Sequence, residues 1–369
     1  MSDQIIYVPV LKGKQGEFGA LQSLDERWRS RIRPCIEVPA VAYDFKNQKP
    51  KVSLDRHLAG IADKLRRYWG PSPFFLDLSP LPSDARAEGG VHPAERLFDA
   101  CKEKGLKPIP VSTPQLDNIH QDTLARKAKE HGNGLCLRLL VEALLDGDPV
   151  QIIKSLMMRL RTTDRANTDI ILDVNYVMGS HVTAVRNGVL SVLSRLPGLE
   201  DWRSVTLVGC GFPENLIGLT PGTVVAFPRT EWMLWKGMSS KDLAPTRLPT
   251  FGDYAIQHPT QKEIDQRVVG PSASIRYTTN GQWLIFRGRG VRTPKSGGLS
   301  QYKKLSQDLI AHQDYSGKEF SWGDRYISDC ARGAVGTGGM PLWRQIGTNH
   351  HITFVSHQIS SFLGSSTRS

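Results

Sequence analysis

The sequence predicts an α/β fold: a TIM-like (β/α)8 barrel followed by a C-terminal extension of a β-hairpin and helices. Short apolar runs rich in β-branched and aromatic residues recur at intervals of about 30–40 residues, the length of one strand, one helix and two connections. Each run is followed by a segment whose apolar residues have helical spacing. That rhythm stops near residue 257, so the expected organisation is a barrel over 1–257 and a basic extension over 258–369 packed on it.

The strand runs fall at residues 5–11, 33–38, 74–78, 108–111, 135–139, 169–174, 205–208 and, most faintly, 251–256. Between them, 16–31 places Phe18, Leu21, Leu24 and Trp28 on one helical face, and 54–69 does the same with Leu54, Leu58, Ile61, Leu65 and Tyr68. Residues 92–104 open with Pro93 in a first turn, Gly147-Asp148-Pro149 precedes a helix over 150–160, and 185–196 is apolar on one side. An open doubly wound sheet shares this alternation, but it usually carries a glycine fingerprint after its first strand. GKQGEFG after Leu11 lacks the G-x-G-x-x-G spacing. Past 257, residues 273–278 and 282–287 form a hairpin across Thr279-Asn280-Gly281. There follow a basic Gly/Pro stretch, helices over 299–312 and 322–334, a glycine-rich break at 336–339, a helical pattern over 343–360 and a frayed tail.

With 369 residues, 39% apolar and 22% charged, the chain can bury a sizeable core, and collagen-like, coiled-coil and wholly disordered classes are excluded. No apolar window approaches the ~18 residues of a membrane helix, and the start lacks a signal peptide, so no membrane partner and a cytoplasmic location are expected. Five widely spaced cysteines without a Cys-x-x-Cys pair suggest reduced, buried thiols. The net charge of +11 is concentrated late: residues 261–369 hold 14 Lys and Arg against 7 Asp and Glu. Such a region favours an anionic partner, DNA or RNA or a phosphorylated ligand, although basic proteins without one are common.

Barrel strands should be apolar on both faces, yet several carry a charge near the C-terminal end. Glu37 lies between Ile36 and Val38, Asp77 between Leu76 and Leu78, Arg138 between Leu137 and Leu139, and Asp173 between Leu172 and Val174. Period-two alternation assigns the aliphatic neighbours to the helix side and turns each charge inward. Lys12 has the parity of Val8 and Val10, and Asp253 is expected to end the eighth strand and close the set. Two readings stand. One is a site at the barrel mouth, with carboxylates as acid/base groups or as ligands for Mg²⁺ or Mn²⁺, and Lys12 and Arg138 on an anion. The other is a buried ion network that closes the barrel.

The loop Gly209–Asn215 occupies a place where barrels often bind phosphate, although Glu214 opposes it. In the hairpin, Arg287 and Arg289 share a face with Arg276 beside them and Arg292 and Lys295 beyond, interleaved with Tyr277, Trp283 and Phe286. That mixture suits phosphate contacts with base stacking, and equally a solvated basic edge. His350 and His351, with His357 beyond, lack a second ligand at metal spacing and fit a packing role better. Hydrolase motifs such as G-x-S-x-G, a Walker loop and H-E-x-x-H are absent from the sequence.

The opening YVPVLKGKQGEFGAL and the following IRPCIEVP resemble the start of the phage beta-protein family. FFLDL, ILDVN, FGDYAIQHP, ASIRYT with WLIFRGRG, and RQIGTNHHIT are similar to the same family in the same order, so the resemblance covers nearly the whole chain. It implies a phage, prophage or bacterial defence setting, sometimes beside a nuclease-like partner. The residues it carries over are Lys12, Lys14, Glu17, Glu37, Asp77, Asp173, Asp253, His258, Arg276, Arg287 and Arg289. The expected function is binding of nucleic acid, a phosphorylated ligand or a partner protein in a phage–host conflict. The alternative is a metal-dependent phosphodiesterase or nuclease-like hydrolase at the barrel mouth. Whether the chain is an enzyme is left open.

Overall fold

A computed structural model describes residues 4–240, 245–260, 270–292 and 297–366; Lys295 lies outside the described residues. Eight parallel strands close into a barrel: Tyr7–Leu11, Cys35–Glu37, Phe74–Asp77, Pro108–Ser112, Leu135–Leu140, Thr168–Tyr176, Ser204–Cys210 and Thr250–Asp253. Each pairs with its neighbour in this order, and the eighth returns to the first through Phe251↔Tyr7 and Gly252↔Val8. A Cβ on Gly252 would lie 2.7 Å from Val208 Cγ2 and 2.9 Å from the Val8 carbonyl, so the closing strand needs glycine there.

Alternation along the strands builds two apolar shells. Val8, Val10, Phe75, Ile109, Ile171 and Val208 fill the barrel, while Leu11, Ile36, Leu76, Leu137 and Leu172 face the helices. All five cysteines are free and buried. The helices begin where caps satisfy their first N–H groups: Ser53 Oγ accepts from Arg56 N, Asp148 Oδ1 from Val150 N, and His92 Nδ1 from Ala94 N. The helix expected over 16–31 is two pieces, Gln15–Gln22 and Glu26–Arg29, because Asp25 accepts from Arg27 N at 3.0 Å and starts a new turn.

The extension is a three-stranded antiparallel sheet in the order Val224–Pro228, Gln282–Gly290, Ser272–Thr278, packed on helix Gln301–Ile310, which in turn lies against Trp322–Arg332. Its first strand leaves the barrel between the seventh and eighth strands; its apolar run, VVAFP, was missed in the sequence, and its side chains alternate between exposed and half-buried. The last helix, Met340–Ser366, returns to the barrel wall. It lies against Gln15–Gln22, and Phe362 meets Trp232 and Trp235 of helix Thr230–Gly237 at 6.1 and 5.4 Å. It therefore fills the place of the eighth outer helix, and residues 254–339 are inserted between the eighth strand and its helix.

His350 and His351 sit in the middle of this last helix and fasten it in two directions. His350 bonds Asp324 Oδ2 and the Thr278 carbonyl, both at 2.8 Å, and stacks on Tyr277 at 3.8 Å. His351 bonds Asp253 Oδ2 at 2.9 Å and Thr278 Oγ1 at 2.8 Å, while Tyr7 donates to Asp253 Oδ1 at 2.6 Å. Burial holds the His351 imidazole below its usual pKa, which suits a neutral ring donating to Asp253.

Close helix packing makes one substitution informative. A Cβ on Gly16 would lie 2.6 Å from the Pro341 carbonyl, whereas one on Gly60 meets nothing within 4 Å. In an open helix, glycine to alanine stabilises by about 0.5–1 kcal/mol. Gly60→Ala should show that gain in urea melts, and Gly16→Ala should instead destabilise by roughly 1–3 kcal/mol.

Candidate functional site

The inward charges meet at the C-terminal end of the barrel. Arg138, on the fifth strand, donates from Nη1 to Glu37 Oε1 at 2.8 Å and Asp77 Oδ2 at 2.6 Å. Its Nε and Nη2 reach Asp173 Oδ2 at 3.0 and 2.8 Å, and Nη2 also donates to Tyr254 OH at 2.6 Å. All five guanidinium N–H groups are thereby used. Tyr254 donates onward to Asp173 Oδ2 at 2.5 Å. Lys12 Nζ lies 2.5 Å from Glu37 Oε2 and 2.7 Å from the Pro259 carbonyl. The remaining carboxylate oxygens accept backbone N–H groups, Asp77 Oδ1 from Ser79 and Asp173 Oδ1 from Asn175, each at 2.8 Å.

Every oxygen of the three carboxylates is thus bonded within the protein. Burial alone would raise the Glu37 carboxyl, but the Arg138 guanidinium and the Lys12 ammonium reverse this and hold it below its usual range. Burial opposes the charge on Arg138 too, yet Tyr254 and the three acids keep its pKa well above normal. A divalent cation needs open oxygens at 2.0–2.6 Å, and here a guanidinium occupies the point where they converge. The residues do not fit Mg²⁺ or Mn²⁺, and among the described residues no group of three or more His, Cys, Asp or Glu is arranged to hold a metal.

Above this network lies a cleft of about 840 Å³ lined by Lys12, Lys14, Lys51, Lys64, His57 and Arg138, among others. Among the described residues neither Lys51 nor Lys64 forms an ion pair. The lysines at 51 and 64 and Tyr254 were missed in the sequence; Tyr254 has the inward parity of Gly252, which could have found it. A groove of similar size, about 860 Å³, lies on the outer wall beside Arg126 and Arg161. Barrels of this kind carry their chemistry at the C-terminal ends of the strands, so the mouth is the candidate.

Other expected residues are placed elsewhere. Asp253 faces outward, with the parity of Phe251, and is bound by Tyr7 and His351 away from Arg138. Glu17 is buried in the first turn of Gln15–Gln22, where burial raises its carboxyl. His258 lies by the Tyr176 ring, 5.0 Å between centroids, beside a small hollow it shares with Arg276. Arg276 and Arg287 line a separate cleft under the last helix, and Arg289 is exposed. Tyr277, Trp283 and Phe286, expected to stack on bases, are 0–1% exposed and belong to the protein's own core. The glycine loop is filled from within: a Cβ on Gly211 would lie 2.5 Å from Glu231 Oε2 and 2.7 Å from Thr230 N, so the glycine admits helix Thr230–Gly237 rather than a phosphate.

Removing Arg138 should reverse a pH dependence. In the wild type the depressed Glu37 carboxyl contributes stability above its unfolded pKa, and that stability is lost as pH falls. In Arg138→Met the buried carboxylates lose their shared cation, Glu37 alone keeping Lys12, so charging them carries an uncompensated desolvation cost and stability is lost as pH rises. Denaturant melts should show a loss of about 3–5 kcal/mol near pH 8 and a smaller one near pH 5. A variant keeping the wild-type slope would contradict the network.

Among solved structures, a triosephosphate isomerase from Bartonella henselae is similar at 12% identity, covering 68% of this chain and 92% of that one with a TM-score of 0.35. A mutant tryptophan synthase α-subunit from Pyrococcus furiosus is similar at 15% identity, covering 56% and 87% with a TM-score of 0.27. Neither likeness is close enough to carry an argument. A search of curated proteins finds no match. The Beta protein family profile matches residues 7–357, and the chain belongs to that family.

Proposed function

We propose that this chain is a cytoplasmic binding barrel that takes a phosphorylated small molecule in its mouth, in the phage–host setting that the family resemblance implies. One observation carries the reading. Lysines at positions 12, 14, 51 and 64 surround an 840 Å³ cleft whose carboxylates, Glu37 and Asp173, already accept hydrogen bonds from the protein. Lys12 uses two of its three N–H groups on Glu37 and Pro259, which leaves one for a ligand. The volume is in the range of small-molecule and cofactor sites. A hydrolase reading is weaker, because among the described residues neither an unoccupied carboxylate nor a metal site accompanies the cations.

Nucleic acid is the second reading, supported by exposed Arg289 and Arg292 beside the half-buried hairpin arginines. It loses the aromatic stacking surface and retains phosphate contacts only, so binding to DNA or RNA would be steeply salt-dependent and insensitive to sequence. Either ligand leaves room for the nuclease-like partner that the family resemblance implies.

Calorimetry with pyrophosphate and nucleoside triphosphates tests the first reading. The wild type should bind at least one of them, and Lys51→Ala with Lys64→Ala should weaken binding by about tenfold or more and reduce its salt dependence. Absence of binding, or binding unchanged in the double variant, would overturn it. Retained DNA or RNA binding with a salt slope lowered only by Arg289→Ala would favour the second reading.

A further inference from the structure

Apart from the mouth, one cleft gathers three arginines that form no ion pair among the described residues. It measures about 280 Å³ and lies between the extension sheet and the last helix. Arg276 enters it from strand Ser272–Thr278, Arg287 from strand Gln282–Gly290 and Arg344 from helix Met340–Ser366, beside Tyr302. We propose that this cleft is a binding site for a single phosphoryl dianion, independent of the barrel mouth.

Hydrogen-bond accounting is the first support. Of the five N–H groups on each guanidinium, one on Arg276 donates to the Ile256 carbonyl at 2.7 Å and one on Arg344 reaches the same oxygen at 3.4 Å. Arg287 Nε is buried with no partner. The Arg276 guanidinium is fixed 4.8 Å above the Phe212 ring, which orients it without using its donors. Among the described residues none of the three forms an ion pair. Glu214 lines the cleft without bonding them, and Glu17, the acid acting on Arg344, lies beyond ion-pair reach with its own carboxyl raised by burial.

Electrostatics gives the second support. Burial lowers the pKa of Arg276 well below normal, and Arg344 and Arg287 lower it further. Burial lowers Arg287 and Arg344 as well. Like charges held together in a half-buried cleft destabilise the empty protein unless an anion joins them. Three guanidiniums arriving from three elements around a small volume suit the tetrahedral oxygens of a phosphoryl group better than a planar carboxylate. Ile217 and Met340 stand exposed at the opening, 66% and 38%, so the organic part of a phosphate monoester has an apolar rim to lie on.

The test uses the full chain carrying Lys51→Ala and Lys64→Ala, so that the mouth is silenced, titrated with inorganic phosphate and with adenosine 5′-monophosphate. Binding of either with one site per chain, accompanied by a rise in melting temperature, is the expected result. Arg287→Gln and Arg344→Gln should each weaken it by at least about tenfold, while Arg325→Gln, on the exposed side of the extension and paired with Glu319, should leave it unchanged. Without ligand, Arg287→Gln should melt at or above the parent, because a half-buried guanidinium whose Nε has no partner is gone; this keeps the test valid if Arg276→Gln fails to fold. Tighter binding of the monoester identifies an organic phosphate as the source, and tighter binding of inorganic phosphate identifies the free ion. No phosphate binding at millimolar concentration, equal binding in Arg287→Gln and Arg344→Gln, or equal binding of acetate would overturn the proposal. Loss at the mouth with binding kept here, or the reverse, separates the two sites.

Discussion

Three buried carboxylates, on the second, third and sixth strands, meet at one guanidinium on the fifth, and the open end of the barrel depends on that meeting. A strand end carrying an inward acid cannot be buried alone, since the desolvation of each ion amounts to several kcal/mol. Arg138 answers all three at 2.6–3.0 Å, and Tyr254 brings the segment after the eighth strand into the same contact. Lys12 adds the first strand through Glu37. Strands far apart in sequence are thereby held in register at the C-terminal end of the barrel. The same fact limits the chemistry: groups fully engaged with one another are poor bases and poor metal ligands, and what remains available to a ligand is the positive rim above them.

The second dependence runs through the last helix. Because residues 254–339 are inserted before it, the barrel wall is completed only when the extension has folded back. Buried Ile352, Val355 and Ile359 join that wall's core, and polar contacts add direction to the return. His351 reaches the barrel at Asp253 and His350 reaches the extension at Asp324, one residue apart and therefore about 100° apart on the helix. Arg229 adds a third tie, bonding Glu231, the Thr279 carbonyl and Gln358 of the last helix. The clefts follow from this geometry, since the arginine cleft exists only where the helix crosses the sheet.

Much of this was legible from alternation. The inward faces of Glu37, Asp77, Arg138 and Asp173 could be read because aliphatic residues flank each one, and flanking aliphatics belong to the helix side. Asp253 escaped the rule, since Gly252 and Tyr254 flank it and its true parity is that of Phe251. Alternation assigns a face but not a partner, so the choice between a catalytic set and a closed ion network needed distances. The hairpin itself was visible in its Asn-Gly turn, yet the burial of Tyr277, Trp283 and Phe286 was not. Those rings are covered by the last helix, by the extension's own helices or by the barrel interior, and no local pattern announces such long-range contacts. Arg344 was hidden for the same reason, as one cation within a helical pattern.

Arg138 fills the place a divalent cation would take at the barrel mouth, and diffraction from a crystal soaked in Mn²⁺ tests this. No anomalous peak is expected among Glu37, Asp77 and Asp173, with Arg138 still bonded to all three. A manganese ion within about 2.5 Å of any of these carboxylates, with the guanidinium displaced, would contradict it.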